Sequence, residues 1–561
     1  MEKINQFFFF LVGSTLLWGQ QFTDITQTAG VEHHFEVFEG MFGGGVAVLD
    51  FNNDGFEDLY LTGGLQNDQL LQNNGHGTFI NQFKNSGLEL LSNYATQGVV
   101  AADFNRDGWK DLFITTITQS NLDQKIPRAQ NFIFLNQGNG TFQDKSSAFK
   151  IDKAATFSTG AAVGDFNLDG YPDLYVGNYF TEYEGGLKEI SDATIVNAGK
   201  TAKGFLYENK NGKKFSNVYS KYGLKHRGFS FGGIFTDFDN DADLDLLINN
   251  DFGYKAKPNY LLENKFPKKQ FDYVAKEKQL DLRINAMGAA TADINNDGWL
   301  DYFITNIRFN MMMVSQSDSL TYQNQIEVLG LQHFAISWGA NFADFDQDGD
   351  VDLFVSNGDL NPNCQAMYNF YFENTGTGFI EKSGAVGLKD YGIGRGSAVF
   401  DLENDGDLDL VVINQVPTMP YGPPSITRIY RNDLIKGNYL KVKLIGKAAT
   451  PSGFGARVRL YANDLHLQQE IDGGNSSHLS HNSTLAHFGL GAHTMIDSLV
   501  VTWPGGYQQK KYNLPVNQLV TIMDDRPYKK SFFDSQMIWI IGLGLLLIGL
   551  LLVYKKFKNR V

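Results

Sequence analysis

One nine-residue pattern recurs seven times in this chain and restricts its fold more than any other feature. The copies open at Asp50, Asp103, Asp165, Asp237, Asp293, Asp344 and Asp401. Position 3 is Asn52, Asn105, Asn167, Asp239, Asn295, Asp346 or Glu403. Position 5 is Asp54, Asp107, Asp169, Asp241, Asp297, Asp348 or Asp405, and position 9 is Asp58, Asp111, Asp173, Asp245, Asp301, Asp352 or Asp409. A hard divalent cation takes about six to eight oxygens at ~2.3–2.6 Å, so alternate side chains of a tight loop, completed by the position-7 carbonyl, suit Ca²⁺. Glycine at position 6 permits the positive φ that bends the chain around an ion. The fourth copy has Ala242 there, which tolerates that conformation poorly. Its site is therefore expected to be the weakest, although Asp237, Asp239, Asp241 and Asp245 supply four carboxylates. The opening is that of an EF-hand loop, but the glutamate at position 12 is missing and the flanks read as strands.

Loop starts are 53, 62, 72, 56, 51 and 57 residues apart. A glycine-containing strand precedes each loop, as in 43–49 and 160–164. An apolar strand follows, then a strand ending in asparagine (70–74, 132–136, 370–374), then Gly-x-Phe and a last short strand. Four strands repeated seven times predict an all-β, seven-bladed β-propeller over residues 20–436. The short last strand recurs six times after the loops, five times with Phe and once, at 320–323, as a looser match with Tyr, and the missing copy lies at 21–24, before the first blade. Residues 21–26 are therefore expected to close the ring beside 428–431, since an open edge would leave unpaired backbone groups.

These loops and strands resemble the FG-GAP/VCBS repeats, the family that includes integrin α-subunit propellers, over about 22–436. The resemblance implies that each calcium loop joins the first and second strands of a blade, and that up to seven Ca²⁺ are held by the residues above. Residues 437–525 read as a small β-rich domain. Alternating strands at 438–445 and 455–461 precede Gly473-Gly474, His487-Phe-Gly-Leu-Gly491 and Val500-Val-Thr-Trp-Pro-Gly-Gly506. This order resembles an ASPIC/UnbV domain, found after VCBS repeats in proteins similar to cartilage acidic protein. His487 is read as structural.

Both ends concern the membrane. Residues 1–19 pair a short basic start with an apolar stretch too short to span a bilayer, as a signal peptide does. After a linker at 526–536, Met537 to Tyr554 is free of charge and predicts a single C-terminal transmembrane helix, followed by a basic cytoplasmic tail at 555–561. A sorting tail cleaved after export is the alternative. Cys364 is the only cysteine, so no intrachain disulfide forms. The net charge of −15 argues against a nucleic-acid partner, and seven divalent ions would offset +14 of it.

No catalytic motif stands out, and the His33-His34 pair is read as structural or solvated. The expectation is an exported, membrane-anchored binding or adhesion module, in the periplasm or at the cell surface, for a protein or glycan. The alternative is a calcium-dependent carbohydrate-active enzyme, a lyase or hydrolase. Recognition is expected on the loops between second and third strands, at 178–204, 305–322, 357–369 and 414–427, which carry Tyr179, Phe180, Tyr183, Arg308, Phe309 and Tyr421.

Overall fold

The computed structural model describes residues 21–37, 43–117, 129–151, 156–181, 201–317, 320–360, 365–417, 425–434 and 437–527. Residues 1–19, Cys364, Tyr183, Tyr421 and the apolar stretch 537–554 lie outside these. Among the described residues no helix is long and apolar enough to cross a membrane.

Seven antiparallel sheets form a propeller-like ring, all but the last built from strands in chain order. Blade 1 comprises Val46–Leu49, Asp58–Leu61, Gln69–Asn73 and Phe79–Asn81. Blades 2 to 6 repeat this plan, their first strands being Ala95–Ala102, Thr156–Gly164, Phe229–Thr236, Ala289–Ala292 and Ala335–Ala343. Blade 7 comprises Gly394–Phe400, Asp409–Asn414 and Arg428–Asn432, and Phe22–Asp24 is its fourth strand. The register is Phe22 opposite Asn432, Thr23 opposite Arg431 and Asp24 opposite Tyr430, which is the closure expected from the missing Phe strand.

The burial pattern follows from position in a blade. Inner strands are packed on both faces by neighbouring blades, so Val46–Leu49 is a continuous apolar run with every residue buried. Outermost strands keep one anchor: Phe79, Phe142, Phe215, Phe271 and Phe379 are buried while the next residue faces outward. Each interface between blades has its own apolar cluster, such as Leu49, Tyr60, Val99 and Phe132 between blades 1 and 2. The cluster between blades 6 and 7 contains Phe22, so the closing strand contributes a side chain as well as hydrogen bonds.

The second domain packs a three-stranded sheet (Ala486–Gly491, Asn438–Ile445, Gln518–Met523) on a four-stranded one (Leu465–Glu470, Arg457–Ala462, Met495–Thr502, Gln508–Pro515). Its core, with Leu440, Val458 and Trp503, is continuous with the cluster between blades 2 and 3.

Candidate functional site

Each acidic loop joins the first and second strands of its blade and is held by its own carboxylates. In six loops the position-1 aspartate accepts from the amides of positions 5 and 6, as Asp103 does from Asp107 (3.0 Å) and Gly108 (2.8 Å). In the fourth, Asp237 accepts from the Ala242 amide at 3.2 Å. The position-9 aspartate ties the loop to the sheet. One oxygen of Asp58 accepts from the Phe51 amide at position 2 (3.0 Å), and the other from Asn73 on the third strand (2.8 Å). That third-strand bond recurs for Asp111, Asp173, Asp245, Asp301, Asp352 and Asp409.

Two positions per loop adopt the left-handed conformation. Position 6 was expected to, and Ala242 does so at φ 66° despite its methyl group. Position 4 was not: Asn53, Arg106, Leu168, Asn240, Asn296, Gln347 and Asn404 have φ between 53° and 64°. The frequency of asparagine there was the available signal, since asparagine enters this region more readily than most residues. Several position-4 side chains reach the position-6 carbonyl of the next blade's loop: Asn53 to Gly108 (3.1 Å), Asn240 to Gly298 (3.2 Å), Gln347 to Gly406 (2.8 Å) and Asn404 to Gly55 (2.9 Å). Arg106 reaches Gly170 likewise. Five of the seven loops are thus linked to the next, and the bond from Asn404 to Gly55 joins the last blade to the first.

The donors present fit a hard cation. Carboxylate oxygens of Asp237, Asp239 and Asp344, Asp346, Asp348 gather within 4.8 Å, with Asp245 completing the first group. Among the described residues, one buried oxygen each of Asp173, Asp237, Asp239 and Glu403 has no hydrogen-bond partner. Burial pushes the carboxyls of Asp58 and Asp111 up to about 8, and those of Asp245 and Asp409 well above the ordinary range. So many oxygens held close together, away from water, are unfavourable as bare anions. In loops 1, 2 and 5 the position-3 asparagine donates to the position-5 aspartate, as Asn52 does to Asp54 at 2.7 Å. The fourth loop, expected to be weakest from Ala242, is among those whose acids converge most closely.

The second domain covers this loop face and enters the ring. Residues 473–483 run into the axis, and 475–481 are almost wholly buried. They bond to all seven blades. The partners of the plug are Val46 (2.8 Å from the His481 amide), Val99 (3.2 Å, Leu479), Val163 (2.7 Å, Gly473), Gly233 (3.4 Å, Asn475), Met287 (3.0 Å, His478), Asn341 (2.8 Å, Asn482) and Ser397 (3.0 Å, Ser477). This accounts for the glycines before the loops. A Cβ on Gly160 would lie 1.9 Å from Asn475 Oδ1, and one on Gly45 would lie 2.0 Å from the Leu479 carbonyl. His487, as expected of a structural residue, donates through Nε2 to the Gly406 carbonyl at 2.7 Å.

The opposite face carries the connections between second and third strands. Arg308 and Phe309 are exposed there, Phe309 meeting the exposed Phe334 edge-on at 5.9 Å. Tyr179 and Phe180 are not exposed, contrary to expectation. They pack among Phe157, Phe229 and Phe231, and the Tyr179 hydroxyl donates to Asp251 (2.5 Å). The reason is that the second strand of blade 3 extends to Thr181. Likewise 305–322 is not one long loop, because Ile307–Arg308 pairs with blade 6 and Met311–Gln316 is the third strand of blade 5. His33 is buried, its Nδ1 2.7 Å from Thr427 Oγ1, while His34 is half-buried.

A ring of FG-GAP-like repeats carrying an ASPIC/UnbV domain is the class these features define. The FG-GAP-like repeat family matches residues 40–114, 125–176, 293–355 and 344–412, and the ASPIC and UnbV family matches residues 446–528. The chain is similar to cartilage acidic protein 1 of Xenopus tropicalis, 26% identical over 495 residues that cover 82% of this chain and 70% of that protein. The Mus musculus protein of that name is 25% identical over 82% of this chain and 70% of its own length. A shorter stretch, 16% of this chain and 8% of the other, is 30% identical to integrin alpha-3 of Mus musculus.

Proposed function

We propose that this chain is an exported, calcium-stiffened binding module that presents one face of its propeller to an extracellular or periplasmic protein or glycan, and that it performs no chemistry. The observation that carries this reading is the filled axis. With residues 473–483 in the ring and the second domain over the acidic loops, the surface left for a partner is the face around Arg308, Phe309, Phe334 and Tyr391. Exposed aromatic rings on a rigid scaffold suit protein or sugar ligands. Likeness to cartilage acidic protein 1 and integrin alpha-3 supports an extracellular partner. Calcium, in up to seven loops, would set the scaffold's stiffness by neutralising carboxylates the fold has already gathered. The apolar segment 537–554 would hold the module at a membrane.

A glycan and protein array run beside an activity screen tests this. The expected result is calcium-dependent binding that is lost in a Phe309→Ala, Phe334→Ala double variant, with no covalent change in any bound glycan. Release of reducing or unsaturated sugar ends would instead establish a carbohydrate-active enzyme.

A further inference from the structure

The seven loops differ in charge. Loops 2, 3 and 5 carry three aspartates each, whereas loops 4, 6 and 7 carry an acid at positions 1, 3, 5, 7 and 9, five in each. Two of the three richest loops receive a buried cation from the second domain. Lys441, on Asn438–Ile445, places its Nζ on Asp401 Oδ2 of loop 7 and 3.1 Å from Asn404 Oδ1. Lys441 and Asp401 side chains are only 4% and 2% exposed. In loop 4, Arg457 Nη2 donates to the Asp237 carbonyl at 2.6 Å and lies 3.4 Å from Asp237 Oδ2 and 3.5 Å from Glu470 Oε2. Among the described residues, no other position-1 aspartate of a loop forms an ion pair within 4 Å.

We infer that Lys441 and Arg457 are resident counter-cations of loops 7 and 4, which keep those loops formed without calcium and weaken their hold on it. The inference rests on the calcium reading of the loops. A divalent ion leaves a five-acid loop strongly negative, and burying that excess beneath another domain is costly unless a cation compensates. The same positive charge then repels an incoming Ca²⁺ a few ångströms away. The same two loops are also held against the second domain: Tyr439 and His487 meet Gly406 of loop 7, and the Gly505 amide donates to Ala242 of loop 4 at 2.8 Å. The second domain thereby sets a hierarchy of calcium affinity among the loops, which repeat sequences alone would rank by acid count.

The test is calcium titration and thermal melting, with and without chelator, of the full chain and of its Lys441→Met, Arg457→Met and Lys441→Arg variants. Each Met variant is expected to bind one calcium on the order of tenfold more tightly and to lose more melting temperature on chelation than the unchanged chain. Lys441→Arg should behave as the unchanged chain. If Lys441→Met fails to fold without calcium, adding Asp407→Asn, which lowers the charge of loop 7 at a position offering only its carbonyl, should restore folding. Identical titrations and identical chelation shifts in all four proteins would overturn the inference while leaving calcium binding intact. A chain that binds no calcium would overturn the calcium reading itself.

Discussion

The two faces of the propeller obey opposite constraints. On the loop face polar groups tie one element to the next, and the oxygens left over, such as Asp173 Oδ2 and Asp237 Oδ1, belong to the gathered carboxylates. Asp58 and its counterparts bond the third strands, five position-4 side chains bond the next loop, and the second domain inserts a plug that meets all seven blades. On the opposite face, Phe309, Phe334, Tyr254 and Tyr391 are each more than two-fifths exposed. Contrast of this kind separates stability from recognition. Residues whose polar atoms link neighbouring elements hold the ring, and those that keep apolar surface in water leave it open to contact.

The largest effect should come from the plug. Replacing residues 475–481 with a Gly-Ser linker removes side-chain hydrogen bonds to the inner strands, leaves buried amides such as that of Ala101, which donates to His481 Nδ1 (3.0 Å), unpaired, and opens a cavity along the axis. Loss of a single cooperative melt is expected, because several unsatisfied buried groups of ~1–3 kcal/mol each approach the whole stability of a domain. A variant melting like the unchanged chain would show the plug to be a passive filler.

Calcium removal comes next. At ~1 mM free ion and a dissociation constant of ~10⁻⁴–10⁻³ M, each site adds roughly 0.4–1.4 kcal/mol, so seven independent sites would add roughly 3–10 kcal/mol. Calorimetry with and without chelator measures this directly, and an unchanged melt would break the link between the acidic loops and stability.

Acid should attack the plug before the exposed face. Desolvation lowers His478 and His481 from 6.5 to about 3, with Arg395 and Lys110 respectively adding to the effect. The folded state thus declines protons that the unfolded chain accepts. Stability from this source is intact above about pH 7 and falls as pH drops from about 6.5 toward 3, by about 2 kcal/mol per histidine at pH 5. Melting temperature against pH should be flatter in a His478→Gln, His481→Gln variant, and an unaltered slope would assign the acid response to other groups.

A smaller gain is expected at loop 4. Ala242 holds φ 66°, where an alanine costs roughly 1 kcal/mol relative to glycine. Ala242→Gly should raise the melting midpoint accordingly, measured by denaturant titration. The smallest effect is on the open face: Phe309→Ala with Phe334→Ala should change stability by less than about 0.5 kcal/mol. A large loss there would mean that the two faces share one stabilising network.

Much of the ring was legible because its signals are local. Oxygen side chains at positions 1, 3, 5 and 9, an apolar run on either side and a lone anchoring Phe are each complete within a few residues, and repetition multiplies a weak pattern into a strong one. The count of last strands even located the closing strand, since Phe22–Asp24 supplies the one missing after the seventh loop. The same local reasoning failed for Tyr179 and Phe180. Nothing nearby reveals that the strand continues to Thr181 or that Phe229 and Phe231 cover the rings.

What the amino-acid order by itself determined is therefore the repeating unit, the number of blades, the oxygen donors of each loop and the strand that closes the circle. Only the tertiary structure decided how the axis is filled and which loops receive a cation. Residues 473–483 are glycine, asparagine, serine and histidine for the most part, a composition that reads as a solvated turn. They are buried because seven inner strands, between about 80 and 430 residues away, offer backbone groups that satisfy them. Lys441 and Arg457 likewise alternate along ordinary strands, and become buried counter-charges because the docked domain sets them against Asp401 and Asp237. Burial of a polar side chain depends on the partner it meets, and partners so distant in the chain are chosen by packing.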